Sequence, residues 1–96
     1  SHTYGRLTTD YENALESYLK MIREFESDMT PAQTALHMAF YHNRKSCISP
    51  GGFFSHYGLS MKNMAASIGI LTPREIAALI LVPFAWKIKK FLHIRQ

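Results

Sequence analysis

The chain has 96 residues, a formal charge of +4 and a hydrophobic fraction of 47%, with one cysteine. That length suits one helical domain spanning 1–96, and the hydrophobic fraction excludes wholesale disorder. The lone Cys47 excludes an internal disulfide framework and any multi-cysteine metal site, and it fits a reducing, cytoplasmic compartment.

Residues 1–8 are expected to be flexible. The start Ser1-His2-Thr3 lacks an initiator Met, which suggests an expression remnant, a processed chain or a fragment. No basic start followed by an apolar run is present, so a signal peptide is not expected. From Asp10 to about Asp28, Tyr11, Leu15, Tyr18, Ile22 and Phe25 recur at helical spacing on one face, with Leu19 beside them. This predicts a first helix capped by Thr9 or Asp10, with that stripe in the core. Thr30-Pro31-Ala32-Gln33 predicts a second start, since Thr caps, Pro loses nothing at the first helical position, and Gln closes a capping box. That helix should reach about Arg44 and bury Ala35, Leu36, Ala39 and Phe40.

Residues 46–59 carry Pro50, Gly51, Gly52 and Gly58 and read as a long irregular loop. Ser60 could cap a short helix, Met61 to Ile68, ended by Gly69 in a left-handed conformation. Thr72-Pro73-Arg74-Glu75 repeats the earlier start signal, and the last helix should run to about Ile94 with a kink near Pro83. Proline there removes an internal hydrogen bond and crowds the Leu79 carbonyl. Two apolar stripes separate on this helix. Ala77, Ile80, Leu81, Phe84, Ile88, Phe91 and Leu92 form the broad one; Leu79, Val82 and Trp86 lie opposite. The expected architecture is a compact all-α bundle of four to five helices with the last helix central.

The charge is divided along the chain. Residues 1–43 sum to −3 and residues 44–96 to +7. Arg44 and Lys45 precede a segment holding Phe53, Phe54, His56 and Tyr57, and adjacency predicts that one of Phe53 and Phe54 is core and the other exposed. Cations beside exposed aromatics can hold a phosphate backbone and stack bases. Arg44, Lys45, Phe54, Tyr57, Lys62, Arg74, Lys87, Lys89, Lys90 and Arg95 are therefore the candidate nucleic-acid or anion-binding set. The alternative is a protein-interaction or self-association module anchored by Leu79, Val82 and Trp86, with Trp the natural hot spot. A membrane partner is not expected. The apolar run Ile76–Trp86 is eleven residues against roughly 20 for a bilayer span, and an amphipathic surface role would take residues the core needs.

Enzymatic function is not expected. No phosphate loop, dinucleotide fingerprint or zinc-protease motif is present, no cofactor is implied, and Cys47 with His42 or His56 lacks a local nucleophile signature. His37, His42, Cys47 and His56 are conceivable metal donors, but His37 and His42 are five apart and diverge on a helix. The rhythm Met64-Ala65, Ile68-Gly69-Ile70 suggests a helix-turn-helix. The residues that would face the groove, Ala77 to Val82, are apolar and suit a core.

Overall fold

Two capping boxes open two of the four helices in the computed structural model. The Thr30 amide donates to Gln33 Oε1 at 3.0 Å, and the Gln33 amide donates to Thr30 Oγ1 at 3.1 Å. Thr72 and Glu75 repeat this, at 3.0 and 3.2 Å. The structure describes residues 2–48 and 51–95, with side chains for 10–48, 51–89, 91 and 92. The elements are α1 (His2–Phe25), a 3-10 turn (Glu26–Asp28), α2 (Pro31–Ile48), α3 (Phe53–Ala66), a second 3-10 turn (Ile68–Ile70) and α4 (Pro73–Arg95). Among the described residues no strand is present.

The all-helical class is as expected; several details differ. Helix α1 begins at His2, so Thr9 and Asp10 lie inside it rather than at its start. The segment 46–59 is mostly helical. Helix α2 continues to Ile48 and α3 starts at Phe53, with Ser49 and Pro50 outside the described residues. Gly51 and Gly52 mark the break, whereas Gly58 is absorbed into α3. Ser60 is not a cap: it lies fully buried within α3, and its hydroxyl donates to the Ala39 carbonyl of α2 at 3.0 Å. Gly69 is not left-handed either. The end of α3 is closed by Ser67, whose amide and hydroxyl both reach the Asn63 and Met64 carbonyls.

The central helix is α2, not the last one. Leu15 and Ile22 of α1 pack on Tyr41 of α2, with Tyr18, Leu19, Met29, Met38 and Ile48 around them. On another side of α2, Ala39 meets Leu71 and Leu79, with Leu36, Phe40, Met61, Met64 and Ile76 closing the cluster. Helix α2 can serve as the hub because its buried positions include Ala35, Ala39 and Ser46, small enough to admit neighbours closely. Helices α1 and α4 both pack on α2 and, among the described residues, have no substantial contact with each other. The bundle measures 45 × 26 × 21 Å, with a radius of gyration of 14.4 Å. A compact chain of this length has about 12.5 Å, so the molecule is drawn out along one axis.

Candidate docking surface on the last helix

Proline 83 determines how α4 meets the bundle. Without an N–H, Pro83 leaves the Leu79 carbonyl without its helical donor. That carbonyl is buried and must find another. Asn43 of α2 supplies it, donating from Nδ2 at 2.6 Å. The same amide lies 3.4 Å from Ser60 Oγ, and Ser46 Oγ donates to the Asn43 carbonyl at 2.6 Å. Tyr57 donates its hydroxyl to the next carbonyl, Ile80, at 3.0 Å. The freed stretch of α4 is thus bonded by α2 and α3, and the helix continues through the buried Pro83 unbroken.

This junction decides which stripe of α4 turns inward. Leu79 is 1% exposed and is a core residue rather than a partner anchor. Truncating such a leucine to alanine costs about 2–5 kcal/mol. Val82 is half-buried beside it, and Trp86, further along the same side, is 45% exposed. The broad stripe expected in the core is the one left outside. Leu81 and Ile88 are each 60% exposed, and Ala77, Ile80, Phe84 and Leu92 are exposed with them. The expected stripe of α1 divides similarly. Leu15 and Ile22 are buried, while Tyr11 and Phe25 are exposed.

The aromatics of the 46–59 segment form one edge of this surface. Phe53 is buried and stacks on Tyr57 with centroids 5.7 Å apart; Phe84 meets both rings edge-on, at 5.9 and 5.1 Å. Lys87 Nζ lies 4.9 Å from the Phe53 ring centre, a cation–π distance. Phe54 is 83% exposed, so the expected split of the pair holds, although both residues are helical. Tyr57 is not a free stacking ring, because its ring and hydroxyl are both engaged within the fold.

The described cations do not gather into one patch. Lys45 reaches back to α1 and pairs with Glu16 Oε1 at 3.2 Å. Arg44 is exposed near Tyr11 and Cys47, where its charge partly offsets the effect of burial on both. Lys62 is exposed on α3, and Arg74 on the first turn of α4. Thirteen residues of helix, about 20 Å, separate Arg74 from Lys87. On a helical projection Lys87 and Lys89 border the outer stripe on its two edges. The side chains of Lys90 and Arg95 lie outside the described residues.

Of the nucleophile and metal candidates the structure brings His42 and His56 together, and no third ligand joins them among the described residues. Burial pushes the Cys47 thiol up, and its Sγ donates to the Asn43 carbonyl at 3.5 Å; an activated thiolate needs the opposite shift. His37 is hydrogen-bonded to the Tyr18 hydroxyl at 2.7 Å. His42 and His56 face each other, Nδ1 to Nδ1 at 3.1 Å, with rings stacked 5.3 Å apart. Among the described residues no three metal-ligating side chains converge, and no helix is long and apolar enough to cross a membrane.

With this geometry in hand, comparison with protein families, with curated proteins and with solved structures finds no match. The residues that sequence reasoning passed over are Asn43 and Ser46, and Ser60 reads there as a cap rather than as a buried partner of α2. A signal did exist, because the carbonyl four residues before Pro83 required a donor, and Asn43 stands in a helix otherwise read only for its apolar face.

Proposed function

We propose that the chain is a non-enzymatic helical interaction module and that the outer face of α4 is its docking surface for a protein partner that presents an apolar face edged by acidic side chains. One observation carries this reading: Leu81 and Ile88 are each 60% exposed on a helix whose opposite side is tied into the core by Leu79 and Asn43. Apolar stripes of this kind mark interaction sites on small proteins. Lys87 and Lys89 at the edges of the stripe favour a partner with acidic side chains around an apolar seam. A nucleic-acid partner draws less support, because Lys45 is paired, Tyr57 is engaged and Arg74 is remote from Lys87.

The test compares wild type with Ile88→Asp and with Lys62→Glu plus Arg74→Glu. Each is used as bait in cross-linked capture and titrated with single- and double-stranded DNA and RNA across a salt series. Capture that is lost with Ile88→Asp and kept with the charge-reversed variant supports the α4 surface. Capture indifferent to Ile88→Asp refutes it. Salt-sensitive nucleic-acid binding that disappears only with the charge reversal would replace it with the nucleic-acid reading.

A further inference from the structure

The molecule carries a second exposed apolar stripe, on α1. Met21, Phe25 and Tyr11 are exposed there, with Ala14 between them in register. The spacing 14, 21, 25 matches the spacing 81, 88, 92 on α4, so each stripe covers about three helical turns. Their borders carry opposite charge. Asp10 and Glu24 edge one side of the α1 stripe, and Glu26 and Asp28 follow at its end. Among the described residues Arg44 of α2 is the one cation placed beside it, near Tyr11, while Lys20 and Arg23 project to the other side of α1 with Glu12 and Glu16. Lys87 and Lys89 edge the α4 stripe.

We infer that the α4 surface receives the α1 face of a second copy of this chain, giving a head-to-tail assembly. The inference rests on the interaction-module reading and names its partner. Among the described residues the two stripes do not meet within one chain, because α1 and α4 pack on α2 without substantial contact. Symmetric pairing of α4 with α4 would bring lysines against lysines, and α1 with α1 would bring acids against acids. Only α1 against α4 joins apolar to apolar and acid to base. Contact between two different faces is heterologous, so copies close into a ring or extend as a filament.

Sedimentation velocity and light scattering test this from micromolar to millimolar protein, at low and high salt, on wild type, Met21→Asp and Ile88→Asp. Both substitutions lie at exposed positions, and circular dichroism checks that each variant keeps its helices. Wild type gains mass with concentration and loses it with salt. Each variant alone weakens association at least about tenfold in Kd. Mixed, they form a 1:1 heterodimer and stop, because one supplies an intact α1 face and the other an intact α4 face. A wild type that stays monomeric at millimolar concentration overturns the inference. So does a Met21→Asp variant that still dimerises while Ile88→Asp does not, because that result marks a symmetric α4 contact. The interaction-module reading fails separately, when capture of other proteins is indifferent to Ile88→Asp, and it survives a monomeric wild type when capture is lost.

Discussion

Replacing Asn43 with alanine probes the junction that orients α4. The substitution removes the donor 2.6 Å from the Leu79 carbonyl and leaves that carbonyl buried with no helical partner, because residue 83 is proline. An orphaned buried acceptor costs about 1–3 kcal/mol, and the lost packing at a site 3% exposed adds on the order of 1 kcal/mol. Ser60 loses only a long contact and keeps its bond to Ala39. The expected loss is about 2–4 kcal/mol, a large part of the roughly 5–15 kcal/mol that holds a small domain together. Urea unfolding followed by Trp86 fluorescence and by far-ultraviolet circular dichroism measures it. The decisive measurement is the double-mutant cycle with Pro83→Ala. Alanine at 83 returns an N–H to the Leu79 carbonyl, so Asn43→Ala should cost about 1–2 kcal/mol less in that background. Equal costs in the two backgrounds, within about 0.5 kcal/mol, would refute the assignment of Asn43 as the substitute donor for Pro83.

Two further outcomes follow from the local geometry. Gly58 sits inside α3 without a positive φ, and a Cβ built there meets nothing within 4 Å. Gly58→Ala should therefore stabilise the fold by about 0.5–1 kcal/mol, read as a higher urea midpoint at unchanged slope; a lower midpoint contradicts the open helical site. Burial holds both His42 and His56 below the usual imidazole value of 6.5, with the His56 charge adding to the effect on His42 and Lys45 to that on His56. The unfolded chain then binds more protons than the folded one between those lowered values and 6.5, so stability falls as pH drops through that window. Thermal melts between about pH 7.5 and 5.5 should show a falling Tm, with a shallower fall in His42→Phe; a Tm that rises on acidification would contradict the shifts.

Local signals in the sequence were decisive where one residue type satisfies one backbone need. Thr30 with Gln33 and Thr72 with Glu75 form the reciprocal bonds their spacing implies, because a helix start has few ways to satisfy its free amides. Glycine and proline were weaker guides. Gly51 and Gly52 do mark a break, but Gly58 is helical, since its cost of about 1 kcal/mol is outweighed when Phe53, Tyr57 and Ser60 of the same helix pack on α2 and α4. The reading of 46–59 as loop failed because punctuation was weighed without the contacts that override it.

The candidate surface was legible in its composition and illegible in its direction. A helical projection separates the two stripes of α4 and is silent on which one faces inward, since both are apolar enough to be core. The expectation of a central last helix buried both. A polar constraint decides otherwise. The carbonyl freed by Pro83 belongs to Leu79, so the side of α4 carrying Leu79 must face a donor, and Asn43 holds that donor on the hub helix. Once that side is turned in, Leu81 and Ile88, about 160–180° round the helix from Leu79, can only point out. The exposed face is therefore the geometric consequence of one proline meeting one asparagine. Helix α4 could keep its core contacts with a polar outer side, and the apolar residues found there instead are what supports the proposed docking surface.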